Sequence, residues 1–167
     1  IVRPNYTKVG REYFEDARAY VGERGVVAPV VRLPCIDHRA CSTYRYYDER
    51  EAVIEEMQRT GERLILHMEE VLSWEPDAIM IANSGLMIFN PEPVFRQLSL
   101  EWLKKITKMA KDKGVIIHLH CCGPERKLVE IAALETDLSC IEPLEERPMG
   151  DCDLRELKRQ FGHKLAL

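Results

Sequence analysis

The residues best suited to chemistry lie in one short stretch, residues 116–123, which reads Ile-Ile-His-Leu-His-Cys-Cys-Gly. Its apolar beginning predicts a short buried strand. Because side chains alternate between the two faces of a strand, His118, His120 and Cys122 should point one way and Cys121 the other. An imidazole and a thiolate two residues apart can hold one Zn²⁺, which takes nitrogen and sulfur ligands in tetrahedral geometry. The spacing therefore predicts a zinc site at a strand end, with at least one further ligand.

Two more polar residues stand where predicted strands end. Asn83 follows the apolar run 76–82, and Glu142 ends the run 137–142. Barrel enzymes gather their functional side chains at the carboxyl ends of parallel strands, so we expect both residues near His120. Asn83 would contact substrate or take part in catalysis; the alternative is a turn residue ahead of Gly85.

The residue types alone do not decide between metal binding and a structural role for the His/Cys stretch. A buried histidine is often a hydrogen-bonded core residue, and a buried cysteine behaves as a small hydrophobic side chain. His118 would donate a hydrogen bond to a ligand or substrate, or would pack inside the fold. Cys121 is expected in the core.

Apolar runs and amphipathic segments alternate along the whole chain, in the order helix, strand, five times over. Predicted strands are at 26–31, 76–82, 115–119, 137–142 and 164–167; predicted helices are at 8–24, 48–72, 90–113, for about ten residues from 124, and from 151 or 153 to 160. Continuous apolar strands between amphipathic helices indicate a parallel sheet covered by helices. A doubly wound sheet and a (β/α)8 barrel both fit, but no glycine-rich phosphate loop follows a strand, which disfavours a dinucleotide-binding fold.

Details within these segments are also predicted. Residues 32–47 carry no clear periodicity and are expected to form a long loop that either lines a pocket mouth or is solvated. Gly61 is expected to weaken or break its helix, and Asp48 to cap it. Asn90 should cap the next helix ahead of Pro91. The charged runs 125–127 and 145–147 are expected to be solvated.

Composition excludes several classes of function. The chain has 167 residues, of which 46% are apolar and 31% charged, with a net charge of −4. This acidic balance gives no electrostatic case for binding nucleic acid or an anionic membrane. No apolar run approaches the roughly 20 residues needed to span a bilayer, and the polar start Ile1-Val2-Arg3-Pro4-Asn5 does not predict a signal peptide. Six scattered cysteines predict free or metal-bound thiols in a reducing cytoplasm.

The stretch at 117–123 resembles the His-x-Cys-Gly segment of the uroporphyrinogen decarboxylase superfamily, and in particular its branch of zinc-dependent methylcobamide:thiol methyltransferases. Further similar segments follow the family order: 76–81, 89–96, and 148–154 with Lys158, Gly162 and Leu167. The resemblance covers residues 75–167 well and the first 75 loosely. It implies that residues 1–167 are one partial domain, a segment of a (β/α)8 barrel in a protein of roughly 340 residues.

The resemblance also implies ligands and a reaction. His120 and Cys122 match the metal-binding His-x-Cys pair, and Glu142 is our match for a further ligand; a distant cysteine would lie beyond Leu167. Zn²⁺ would lower the pKa of a small thiol such as coenzyme M. The thiolate would then take a methyl group from a corrinoid held by a partner protein.

Two alternatives remain. The first is the metal-free uroporphyrinogen decarboxylase of tetrapyrrole biosynthesis, in which arginine and aspartate residues act on an acidic substrate. The second is a truncated, non-catalytic relative of these enzymes.

Overall fold

The computed structural model describes residues 8–167. Its elements are α1 (Gly10–Val21), a 3₁₀ turn (Gly22–Arg24), β1 (Val30–Val31), α2 (Ala40–Asp48), α3 (Arg50–Leu72), β2 (Ala78–Ala82), α4 (Leu86–Phe89), α5 (Glu92–Leu98), α6 (Leu100–Asp112), β3 (Ile116–His120), α7 (Arg126–Glu135), β4 (Cys140–Glu142) and α8 (Leu154–Phe161). The predicted alternation of helices and parallel strands is confirmed. No helix among these residues is both long and apolar enough to cross a membrane.

The four strands form one parallel sheet in the order β1-β2-β3-β4. The fifth predicted strand is reduced to a single bridge between Ala166 and Cys140. The register aligns Ala82, His120 and Glu142 in one row across three strands. The row brings a histidine and a carboxylate from neighbouring strands side by side.

The strand order never reverses, so every crossover leads to the next strand in the same direction. Right-handed crossovers in a constant direction bring the connecting helices to one face of the sheet. Burial follows this arrangement, because one set of alternating side chains is fully buried: Ile79, Ile81, Ile117, Leu119 and Ile141. The other set, which includes His118 and His120, is only partly buried. The candidate residues therefore lie on the less covered face.

The core between the sheet and its helices depends on one close helix contact. Gly61 lies in the middle of α3, which runs through it without a break. A Cβ atom at Gly61 would lie only 1.9 Å from Trp102 Cε2 of α6. The prediction of a break at Gly61 was therefore wrong. The glycine is needed because the indole packs directly on the backbone of α3.

The prediction of a loop at 32–47 was wrong for its second half, because Ala40–Asp48 form the helix α2. Tyr46 of this helix is buried, and its hydroxyl donates to Gln97 Oε1 at 2.8 Å. The apolar face of α2 is short, so periodicity did not reveal it, and tertiary packing decided the conformation. Asp48 ends α2 rather than capping α3, whose first flanking residue is Glu49.

Helix boundaries near Asn90 also differ from the prediction. The segment 90–113 is two helices, α5 and α6, separated at Ser99. The Asn90 side chain does not cap α5, whose N-cap residue is Pro91. Instead Asn90 is fully buried and bonds to Ile36. The α8 cap agrees with one of its two predicted candidates, because Asp153 accepts a hydrogen bond from the Glu156 N–H at 2.9 Å.

Candidate functional site

The carboxyl ends of β3 and β4 bring three of the predicted site residues together. His120 Nδ1 lies 2.8 Å from Glu142 Oε1, and His120 Nε2 lies 3.7 Å from Cys122 Sγ. The parallel register sets the first contact, since His120 and Glu142 are cross-strand partners. The alternation of side chains sets the second, since Cys122 follows His120 by two residues.

The distance between the imidazole and the thiol suits a shared metal ion. Zinc bonds of about 2.0 Å to nitrogen and 2.3 Å to sulfur at a tetrahedral angle hold the two ligand atoms roughly 3.5 Å apart. The observed 3.7 Å between His120 Nε2 and Cys122 Sγ is close to that value. A carboxylate at Nδ1 favours the tautomer in which Nε2 keeps its lone pair, as in metal-bound histidines generally.

Glu142 contacts both histidines of β3. The oxygen that lies against His120 is 3.9 Å from His118 Nε2. His118 is a quarter exposed and Glu142 nearly half exposed, at 24% and 45% of their side-chain surface. The resemblance implies that Glu142 is a direct metal ligand. In the structure Glu142 Oε1 lies beside Nδ1 of His120, whereas Nε2 faces Cys122. In this position Glu142 orients the imidazole ring.

The hydroxyl of Ser84 completes the immediate surroundings of Cys122. Its Oγ lies 3.8 Å from Cys122 Sγ, within reach of a weak thiol hydrogen bond. Sequence reasoning missed Ser84 as a site residue. The signal for it was its position, since it stands one residue after Asn83 at the end of the neighbouring strand β2.

Asn83, predicted to contact substrate, is engaged within the protein. Its side chain is 8% exposed, and its Oδ1 accepts from the Leu33 N–H at 2.9 Å. Its amide nitrogen lies 3.4 Å from the Leu33 carbonyl and 3.2 Å from Cys35 Sγ. These contacts favour a structural role in which Asn83 fastens the chain after β1 to β2. Substrate contact by Asn83 stays a prediction.

The turn that carries Cys122 is held by a residue of the supposed solvated run 145–147. Glu145 Oε2 accepts from the Gly123 N–H at 2.6 Å, and the backbone N–H of Cys121 donates to the Glu142 carbonyl at 2.8 Å. Gly123 has a φ of 108°, and an added Cβ would lie 2.8 Å from Ile88. The prediction of a solvated role was therefore wrong for Glu145. It fixes the backbone directly after the candidate ligand Cys122.

The polar residues at 37–39 and Tyr44 of α2 bond or pack away from the His/Cys pair. Asp37 accepts hydrogen bonds from the backbone and side chain of Arg39, and the guanidinium holds the pKa of this carboxyl below its usual value. His38 packs edge-on against Phe89, with ring centroids 6.4 Å apart. Tyr44 is 69% exposed. Asp37 and Arg39 bond to each other and His38 packs on Phe89, so among residues 8–167 these contacts lead away from His120 and Cys122.

Within residues 8–167 no three His, Cys, Asp or Glu side chains are arranged as a complete metal site. The described part of the chain thus brings together one imidazole and one thiol, with a carboxylate at the other ring nitrogen. All six cysteines are free thiols. A scan of protein-family models and a search of curated proteins returned no match to this chain.

Proposed function

We propose that this chain is a zinc-binding methyltransferase domain of the uroporphyrinogen decarboxylase superfamily, in which His120 and Cys122 hold Zn²⁺. Its substrates would be a small thiol and a methyl-corrinoid carried by a partner protein. One observation carries the proposal: His120 Nε2 and Cys122 Sγ are 3.7 Å apart, while Glu142 lies at the opposite ring nitrogen. The reaction itself rests on the resemblance at 117–123.

Each residue has a distinct task in this proposal. His120 and Cys122 provide one nitrogen and one sulfur ligand. Glu142 keeps the proton on His120 Nδ1, so that Nε2 remains free to bind, and direct ligation of the metal by Glu142 remains the prediction of the resemblance. Bound zinc supplies a Lewis acid that lowers the pKa of a substrate thiol. His118, which shares the Glu142 oxygen, is positioned to donate to a substrate in front of the sheet.

We further propose that the sheet is a segment of a (β/α)8 barrel. Three features support this assignment: the strand order without reversal, the burial of one face only, and functional side chains at the carboxyl ends. In a barrel, the less buried face with Met80, His118 and Cys140 would face the interior. A doubly wound sheet would need a point where the strand order reverses.

The surroundings of the pair favour a metal over a tetrapyrrole decarboxylase. The polar partners of His120 and Cys122 are an acid, Glu142, and a hydroxyl, Ser84. At this position the carboxylate of Glu142 would repel the carboxylates of such a substrate. An acid beside a histidine instead suits a divalent cation.

Zinc titration with a competing chromophoric chelator tests the proposal. We expect the whole protein, with the distant cysteine that the resemblance implies, to bind one Zn²⁺ per molecule, and His120→Ala or Cys122→Ser to lose that binding. Two matched variants serve as controls: His163→Ala at an exposed histidine, and Cys140→Ser on the same sheet face. Both should bind zinc as the parent does.

Two results would contradict the metal assignment. One is a whole protein that binds no more zinc than its His120→Ala variant. The other is an equal loss of zinc in the His163→Ala or Cys140→Ser control. Methyl transfer is tested separately, by incubating the zinc-loaded protein with methylcobalamin and coenzyme M and following the absorbance change of the corrinoid.

A further inference from the structure

Glu125 is a carboxyl group buried where the sequence predicted a solvated charge. Its residue exposure is 0%, in contrast to its neighbour Arg126, which is exposed and bound to Glu156. Glu125 lies at the N-cap position of α7, but its side chain makes no capping hydrogen bond. The prediction for residues 125–127 was therefore wrong at its first residue.

Neither carboxyl oxygen of Glu125 has a hydrogen-bond partner of normal geometry among the described residues. Its polar neighbours are the thiol of Cys121 at the end of β3 and the backbone N–H of Met87 in α4. A buried carboxylate without a partner is strongly unfavourable, because it has lost its hydration and gained nothing. The neutral acid is the form that suits this environment.

The charges that face Glu125 act in the same direction. Asp151 and Glu145, both in the loop between β4 and α8, repel its ionised form. The thiol of Cys152, from the same loop, lies close enough to be affected by Glu125, and burial raises the pKa of both Cys121 and Cys152. Burial is the largest cause that raises the pKa of Glu125, to about 7.

Glu125 is connected by a short segment to the turn at 121–123. Only Pro124 separates it from Gly123, whose N–H is held by Glu145 Oε2. On its other side, the N–H of Arg126 donates to Asp151 Oδ1 at 3.0 Å. A movement of Glu125 toward water would therefore strain both hydrogen bonds and pull the turn away from β4.

We propose that Glu125 is a proton-operated latch on the turn at 121–123. When protonated, it packs in the core beneath the turn and keeps the turn closed. When it loses the proton, the side chain must reach water, and the turn opens. Because Cys122 lies in this turn, the latch makes the position of a candidate ligand depend on pH. The latch itself is independent of the proposed zinc function.

The sign of the effect follows from the two states of the carboxyl group. In the open turn Glu125 is hydrated and titrates at its ordinary value of 4.5, whereas in the closed turn it titrates at about 7. The closed turn therefore has its full stability below pH 4.5. It loses stability as the pH rises to about 7 and stays constant above that value.

Amide hydrogen exchange in the metal-free protein measures the opening. The amides of Cys121 and Gly123 report on the turn, because both are hydrogen-bonded in the closed arrangement. Dividing each rate by the rate of the same amide in Glu125→Gln at the same pH removes the intrinsic pH dependence of exchange. We expect this ratio to rise about tenfold per pH unit between 4.5 and about 7, and then to level off.

The controls separate a latch from a general loss of stability. Glu130→Gln changes a carboxyl group of the same helix that is paired with Lys127 near the surface. The exchange rates of the turn amides in this variant, divided by those in wild type, should not change with pH. The Leu119 amide in β3 should exchange equally in wild type and Glu125→Gln at every pH. Should Glu125→Gln fail to fold, Glu125→Met replaces it as a variant without a titrating group.

Two outcomes would overturn the latch. If the turn amides of wild type and the Glu125 variant show the same pH profile, Glu125 does not control the turn. If the Leu119 ratio rises together with that of the turn amides, ionisation unfolds the domain as a whole. The exchange experiment needs no zinc, so a negative result does not bear on the metal proposal. A negative zinc titration likewise does not bear on the latch.

Discussion

Two regions of the molecule carry polar side chains, but they use them differently. Asn83 after β2, Asn90 after α4 and Ser99 after α5 are 8%, 0% and 0% exposed. All three bond to the backbone of residues 33–36. At the ends of β3 and β4, His120 and Glu142 retain 34% and 45% of their side-chain surface and bond to each other.

The difference shows which polar residues of this fold have a structural role and which are available for chemistry. A buried amide that satisfies backbone groups contributes to stability and has no bonding capacity left for a ligand. Partly exposed side chains that bond only to one another keep lone pairs available for a metal or substrate. Substitutions of Asn83, Asn90 or Ser99 should therefore reduce stability. Substitutions of His120 or Glu142 should reduce metal binding.

Asn90→Ala should produce the largest effect. The Asn90 side chain bonds to the N–H and the carbonyl of Ile36, at 2.8 Å and 3.0 Å, and to the carbonyl of Leu86. Its removal leaves buried backbone groups without partners, at a cost of about 3 kcal/mol. Urea unfolding measures this loss. Gln58→Ala, at an exposed amide that bonds to Glu62 one turn along the same helix, should cost under about 1 kcal/mol, and an equal loss in both variants would contradict the structural role.

Asn83→Ala should destabilise by about 2 kcal/mol, because it releases the backbone N–H of Leu33 and the contact with Cys35. Zinc affinity at His120 should be unchanged. This variant tests whether Asn83 has a structural role or belongs to the site. Urea unfolding and zinc titration on one preparation measure both quantities, and a weaker zinc affinity with unchanged stability would make Asn83 a site residue.

Glu142→Gln should weaken zinc binding about tenfold, the low end of the range for residues that orient a metal ligand. The amide oxygen can still accept from His120 Nδ1, but without the negative charge. The stability of the metal-free protein should change little, because the side chain is 45% exposed. Chelator competition measures the affinity, with Glu146→Gln as an exposed control in the following loop. A drop in unfolding free energy with full zinc affinity would reverse the assignment.

Glu145→Gln should have the smallest effect, about 1 kcal/mol of stability. The variant replaces a charged acceptor of the Gly123 N–H by a neutral one. Exchange of the Gly123 amide, compared with that of Leu119, shows whether the loss is confined to the turn. Glu146→Gln again serves as the control. If the Gly123 amide exchanges no faster than in the parent, the contact does not hold the turn.

Local patterns predicted much of the framework. Continuous apolar runs predicted β2 and β3, and amphipathic spacing predicted α1, α3 and α7. The predicted zinc pair has a geometry that suits zinc, because a two-residue spacing on a strand puts both side chains on one face whatever surrounds it. Patterns failed where packing decided the conformation, as in α2 and at Gly61.

The alternation of elements and the face that carries His118, His120 and Cys122 follow from local sequence patterns, because both depend on periods of a few residues. Which strand lies beside which depends on tertiary packing, and this packing brought Glu142 to His120 across 22 positions of the chain. It also decided which charges are buried. Glu125 and Arg126 are neighbours in the same charged run, but the direction of each side chain from α7 placed one in the core and the other in solvent.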